Sequence, residues 1–240
     1  MSSFLNGLNA FYRQDIVYLL FLNIQTIPME IVHFFLQLLK DPLTALSTFI
    51  DQNGTLTYGL LFLIIFVETG LVAMPLLPGD SLLFAVGVLA AATGKIDVAF
   101  VIPLLIGAAL LGDNVNYFIG KYFSEFIKSK DKILFLKREH ITKTEEFYEK
   151  NGGQTVIMAR FIPIVRTVAP FVAGAGSMKY GKYITFCIIG AILWVTGITL
   201  LGYFLGNNEW VKHNFEKVVL GIVGVSVLPM IIGFVKSKLK

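Results

Sequence analysis

Four ionisable side chains stand in stretches that are otherwise apolar enough to enter a lipid bilayer. Glu68 sits in "LLFLIIFVETGLVAM", Asp80 follows "PLLPG", and Arg160 and Arg166 lie in "ARFIPIVRTVAPFVAGAG" with Pro163 and Pro170. At such depth each ionised group costs at least ~2.5–3.5 kcal/mol on insertion scales, so each needs a partner or a task. Arginine keeps its proton, and its planar fork grips phosphate through two parallel hydrogen bonds. Arg160 and Arg166, six residues apart across a proline-broken turn, can converge on one anion. Helix N-termini exposed by the breaks would add amide donors. A carboxylate differs because it titrates. Glu68 is the candidate proton acceptor; Asp80 shares that task or caps the helix beginning at Ser81, and the two roles are compatible. The group therefore reads either as a polar cavity handling an anion and a proton, or as two structural ion pairs.

Weaker candidates surround these four. In "GDNVNY" (Gly112 to Tyr117), Asp113, Asn116 and Tyr117 either line the same cavity or, for Asp113 and Asn116, bond across helices as packing glue. Pro75, Pro78, Gly79 and Pro163 are candidate cavity lining at the breaks. An enzyme acting on a lipid phosphate would need a buried histidine or a metal cluster. The three histidines are His33, His140 and His213; the last two fall in loops, and His33 is remote in sequence from the charged segments. No Cys/His cluster offers a metal site. Trp194 and Cys187 read as packing, Trp210 as an interface anchor. The single cysteine excludes an intrachain disulfide and leaves the redox compartment unread.

These side chains need elements to hold them, and composition says in what medium. The 240 residues are 55% hydrophobic and only 15% charged, with a mean hydropathy of +0.73, which is membrane composition. Neither a cleavable signal peptide nor a nucleic-acid partner is expected. A helix needs roughly 20 apolar residues to cross a ~30 Å hydrocarbon core. Stretches 183–206 and 218–235 meet that without a charge, 98–120 meets it with Asp113 inside, and 16–39 does so with Gln25, Glu30 and His33, so it spans or lies in the interface. Segments 57–94 and 155–178 are interrupted by proline and glycine and read as re-entrant helical hairpins, which lipid tolerates only when protein or a wet cavity covers the broken backbone.

The expected fold is therefore an all-α polytopic membrane protein with about four transmembrane helices and two opposed re-entrant hairpins. Its domains are an N-terminal segment, 1–56, and a transport domain, 57–240. Segment 121–154, with eight basic and six acidic residues, is expected as a cytoplasmic amphipathic helix with loops. With both termini cytoplasmic, 14 Lys/Arg fall inside and 4 outside, as the positive-inside rule asks. The hairpins then open to opposite faces, a pseudo-inverted repeat of the kind that puts broken helices at the midplane of transporters.

Three stretches carry a family resemblance: "FVETGLVAMPLLPGDSLLF" (Phe66 to Phe84), "GDNVNYFIGKYFS" (Gly112 to Ser124) and "FYEKNGGQTVIMARFIPIVRTVAPFVAGAGSM" (Phe147 to Met178). From about residue 57 onward the chain resembles the bacterial DedA family, part of a wider superfamily with eukaryotic lipid scramblases. The resemblance implies a multi-pass protein of the bacterial inner membrane that moves lipid and depends on the proton gradient. It favours recycling of undecaprenyl phosphate, with phospholipid movement as the alternative. The family's acidic pair lands on Glu68 and Asp80, where many relatives carry Glu at the second position; its arginine pair lands on Arg160 and Arg166. The expected partners are an anionic lipid, protons and the bilayer, with no cofactor and no enzymatic activity; an oligomer is left open. A proton or cation exchanger without a lipid substrate would use the same acids and arginines.

Overall fold

A computed structural model describes residues 29–71, 79–128, 132–133, 136–137, 154–176, 178–215, 217–218 and 221. The chain divides into two compact units, Met1–Lys40 and Asp41–Lys240. In the first, helix α1 (Met29–Lys40) is the described part of the expected span 16–39. Its last turn carries Lys40, a cation suited to a helix C-terminus.

The second unit opens with α2 (Pro42–Asn53), in a stretch for which apolar run lengths predict no element. Its signals are local. The Asp41 side chain accepts from the Thr44 amide at 3.1 Å, Pro42 occupies the first turn, and Gly54 at φ 52° ends the helix. Helices α3 (Leu56–Gly70) and α4 (Gly79–Thr93) occupy the segment expected as the first hairpin and are its two arms in that reading. Fifteen residues make about 22 Å of helix, short of a ~30 Å core. Helix α5 (Val98–Lys128) follows, then a two-stranded antiparallel ribbon, β1 (Lys132–Ile133) with β2 (Leu136–Lys137). The second hairpin is α6 (Gln154–Arg160) and α7 (Pro163–Ala175); α8 (Tyr180–Leu205) and the short α9 (Glu209–His213) complete the described unit.

Helices α5 and α8 are long and apolar enough to cross a membrane. The expected span 218–235 lies almost wholly outside the described residues, as do 16–28 and most of 121–154. Three expectations are corrected. The helix expected over 98–120 runs on to Lys128, because Gly120 is a packing position and not a stop: a Cβ there would strike the Phe171 carbonyl of α7. The segment expected as helix with loops contains the β1–β2 ribbon, the described departure from an all-α chain. The second hairpin breaks once, not at both prolines. Ile162 is extended (φ −112°, ψ 110°), as the residue before a proline must be, and Pro163 opens α7. Pro170 lies inside α7. It removes the amide that would bond the Arg166 carbonyl, and the Asn116 side chain donates to the next carbonyl, that of Thr167, at 2.6 Å.

Packing gives the unit its plan. The arms of the first hairpin scarcely touch each other; α3 lies on α5 and α4 on α8. The second hairpin repeats this, with α7 on α5 and α6 on α8. Each long helix thus carries one arm of each hairpin. In lipid no hydrophobic force drives helices together, so small residues that let backbones meet take over. A Cβ on Gly202 of α8 would run into the Phe84 carbonyl of α4, and one on Gly112 of α5 into Thr69 of α3. Gly202→Leu is expected to lower unfolding free energy by about 1–3 kcal/mol through overpacking. Gly107→Ala, where a Cβ meets nothing within 4 Å, should be neutral or stabilising by about 0.5–1 kcal/mol. Denaturant unfolding in detergent measures both; equal effects would mean that α4 and α8 do not meet backbone to backbone.

Candidate functional site

The first hairpin brings its two carboxylates to facing ends of its arms. Glu68 is third from the end of α3, and Asp80 lies in the first turn of α4, where a negative charge suits the helix dipole. Gly79 is buried against the Glu68 carboxylate, so closely that any Cβ would overlap it. Glycine at the start of α4 is therefore a steric condition for seating Glu68.

Arg166 meets this pair from the second hairpin. It is the fourth residue of α7, one turn after the proline that restarts the helix. Its Nη2 donates to Glu68 Oε1, and its Nη1 donates to Asp80 Oδ1 at 2.5 Å. Trp194, near the middle of α8, donates its indole Nε1–H to the same Asp80 oxygen at 2.7 Å. The Trp194 ring centroid lies 4.6 Å from the Arg166 guanidinium carbon, a cation–π distance.

Arg160 makes a separate arrangement. It ends α6 and donates Nη2 to Asp113 Oδ2 of α5. Cys187 of α8 approaches the same Asp113 oxygen at 3.3 Å and the Arg160 Nη2 at 3.5 Å. Tyr183 donates its hydroxyl to the Asp113 backbone carbonyl at 2.9 Å. Arg160 also lies 5.8 Å from the Trp194 centroid, so one indole borders both arginines.

The charges do not balance. Side-chain exposure is 1% for Glu68, 2% for Asp113, 5% for Arg160, 7% for Arg166 and 13% for Asp80. Three carboxylates face two guanidiniums in a place where an unpaired charge is costly. Arg160 and Asp113 pair one to one, so Glu68 and Asp80 share the single guanidinium of Arg166. The Arg166 Nε–H is left without a hydrogen-bond partner, so this half of the site is not fully satisfied. Asp80 owes its exposure to a cavity of about 130 Å³ that also touches Phe161, Leu193, Trp194, Gly197, Ile198 and Leu201. Among the described residues no group of three His, Cys, Asp or Glu side chains converges as a metal site.

Glu68, Asp80 and Arg166 thus come together across the hairpins, while Arg160 faces Asp113 and not the hairpin acids. That departs from the expectation of two arginines converging on one anion. Asp113, a lining candidate in sequence, is an ion-pair partner. Asn116 is glue: its amide nitrogen bonds the Thr69 carbonyl at 3.1 Å as well as that of Thr167, closing the end of α3. Tyr117 donates to the Met178 carbonyl at 2.5 Å and stacks on Tyr183, centroids 4.3 Å apart. Pro75 and Pro78 lie outside the described residues, and Pro163 is the first residue of α7. Trp194, Tyr183 and Cys187 join the site without having been candidates. For Trp194 a signal exists: an indole N–H in mid-span needs an acceptor when buried. Composition offers none for the other two.

Comparison with known proteins finds a family model and relatives that cover most of the chain. The family model described as the VTT domain matches residues 77–204. Protein DedA of Escherichia coli (strain K12) is 43% identical over 211 residues, 88% of this chain and 96% of the relative. An uncharacterized membrane protein of Mycobacterium leprae (strain TN) is 47% identical over 169 residues, 70% of this chain and 75% of the relative. Inner membrane protein YqjA of Escherichia coli (strain K12) is 31% identical over 180 residues, 75% of this chain and 81% of the relative. No solved structure matches the chain.

The closed pair can be tested apart from any transport assay. Arg160→Leu alone should destabilise by about 3–5 kcal/mol, because Asp113 is left buried and uncompensated. Arg160→Leu combined with Asp113→Leu should recover most of that loss. Unfolding of the two variants in the same detergent measures the difference; a double variant as unstable as the single one would contradict the pairing.

Proposed function

We propose that this chain, which belongs to the DedA family, carries the phosphate-bearing headgroup of an anionic lipid across the membrane in a proton-dependent cycle. Undecaprenyl phosphate is the favoured cargo and a phospholipid the alternative. The observation that carries this reading is Arg166, buried between Glu68 and Asp80, two carboxyl groups that share one guanidinium.

The chemistry follows from competition for one guanidinium. Two carboxylates hold both Nη groups of Arg166, the same groups a phosphate would use bidentately. With Glu68 and Asp80 ionised, an arriving phosphate meets an occupied fork and a surplus negative charge. One proton on the pair cancels that surplus and weakens its hold. The phosphate then takes over the fork while the hydrocarbon stays in lipid. Deprotonation returns the carboxylates and expels the phosphate. The two arrangements are the states that a ligand and a proton can bias in opposite directions. The broken helices supply the bistable element: α6 and α7 join only through residues 161–162, and α3 and α4 rest on different long helices.

Protons enter from outside and leave inside in this scheme, with both termini cytoplasmic as the Lys/Arg distribution asks. The relative Inner membrane protein YqjA supports the inner membrane as the location. The chain is proposed not to be an enzyme. Within the unit that holds the charged site, His213 is exposed on α9, outside that site.

Headgroup flipping in proteoliposomes tests the scheme. Glu68→Gln should cut the flipping rate about tenfold or more, equivalent to about 1.4 kcal/mol, and flatten its pH dependence. Undiminished, pH-dependent flipping would remove Glu68 from the cycle. A polyprenyl monophosphate should raise the thermal midpoint of the wild type, since a ligand of the folded state stabilises it; no stabilisation by any anionic lipid would favour an ion exchanger. Incubation of the purified protein with the same lipid should release no inorganic phosphate, and turnover would make it a phosphatase instead.

A further inference from the structure

We propose that a notch at Gly197, on the outward face of α8, is the lateral doorway through which a lipid phosphate reaches Arg166 from the hydrocarbon side. This rests on the lipid-phosphate reading above. Residues four apart on a helix lie one above another, so Ile189, Leu193, Gly197 and Leu201 form a single row on α8. Ile189, Leu193 and Leu201 are 41%, 51% and 41% exposed, an apolar ridge that suits contact with lipid chains. Gly197 is the gap in that ridge.

Other glycines of this interface have a steric reason to be glycine. Side chains at Gly87 of α4, at Gly202 of α8 or at Gly206, which caps the end of α8, would collide with backbone of the facing helix. At Gly197 a Cβ would meet nothing within 4 Å. Glycine inside a helix is nonetheless about 0.5–1 kcal/mol less stable than alanine. Gly59 and Gly107 are equally open, but Gly197 lines the cavity of about 130 Å³. What its missing side chain provides is that space.

The cavity leads from the ridge to the charged site. Leu193, Ile198, Leu201 and Phe161 form apolar walls, and Asp80 and Trp194 lie at the inner side. Asp80 is the most exposed of the five charged groups, and the oxygen it offers is the one that holds Arg166 Nη1 and Trp194 Nε1. The groups facing it are therefore Arg166 and Trp194, with Glu68 on the far side of the same guanidinium. A phosphate that displaces Asp80 from Arg166 ends beside this opening. Its hydrocarbon then continues outward over Leu193 and Leu201 without leaving an apolar surface. Free phosphate gains nothing from such walls and would shed its hydration to pass them, so the occupant is the phosphate end of a lipid.

The test uses the purified full-length protein in detergent, with a polyprenyl monophosphate and inorganic phosphate as the two probes, read by thermal unfolding. The lipid should raise the wild-type midpoint. Gly197→Leu, which fills the notch, should require about tenfold or more lipid for the same rise, with Gly197→Ala intermediate. The same block can be installed after folding by alkylating Gly197→Cys with a bulky maleimide, since Cys187 is buried. That variant should lose the lipid response on labelling, and identically treated wild type should keep it. Full lipid protection of both blocked forms would overturn the doorway while leaving the lipid reading intact. Inorganic phosphate protecting the wild type as well as the lipid does would overturn the lateral route, because the chain would then contribute nothing. A wild type that responds to neither probe would overturn the doorway and the lipid reading together.

Discussion

A guanidinium that cannot lose its proton sits almost wholly out of water, and the surrounding architecture answers to that fact. Arg166 is 7% exposed in the side chain, so its charge must be met by anions supplied from within the fold. The first hairpin supplies two. Glu68 comes from the end of one arm and Asp80 from the start of the other, which a continuous helix crossing the bilayer could not arrange. Gly79 must lack a side chain for Glu68 to fit. Pro163 must restart the second hairpin where it does for Arg166 to fall one turn inside α7. The backbone breaks are thus the geometric terms on which a buried cation is tolerated.

Charge alone would not hold such an arrangement, because ion pairs are soft in direction and the arms of the first hairpin scarcely touch each other. The frame is the pair of long helices. Helix α5 carries α3 and α7, while α8 carries α4 and α6, so both hairpins are referenced to the same two supports. Glycines at the crossings bring backbone against backbone, which fixes separations more tightly than interleaved long side chains would. The polar links then fall on these supports. Asp113 and Asn116 project from α5, and Trp194 and Cys187 from α8. The consequence is that a movement of α3, α4 or α7 must break a bond to a long helix as well as one to the other hairpin, whereas Arg160 ties α6 to the long helices.

Much of this was legible in sequence because hydrocarbon punishes exceptions. Apolar run length alone predicts α5 and α8, and the short apolar runs flanking "PLLPGD" predict the first hairpin. Glu68, Asp80, Arg160 and Arg166 stand out as charges where none should be. Which charge meets which was not legible, since pairing depends on the rotation of each helix about its axis. Asp113 read equally as glue or lining, yet it is the partner of Arg160. The continuous α7 was hidden because Pro170 reads as punctuation in isolation, yet it lies inside the helix. Helix α2 was legible from Asp41, Pro42 and Gly54, signals of capping that hydropathy passes over.

The two arginines, alike in sequence, end in unlike electrostatic situations, and that difference is what gives the site a direction of change. Arg160 and Asp113 form a closed, neutral pair between α6 and α5, with Cys187 and Tyr183 around the aspartate. Removing a charge from either member costs the burial of the other, so this pair resists exchange with any ligand. Arg166 has two carboxyl partners for one guanidinium and an unsatisfied Nε–H. A site built from two closed pairs would be inert, and one built from two open arginines would not stay buried. Trp194 borders both, with its ring toward the guanidiniums and its N–H on Asp80. One indole on α8 thus touches the open arginine and the closed one at once, and the same helix carries α4 and α6, one arm of each hairpin.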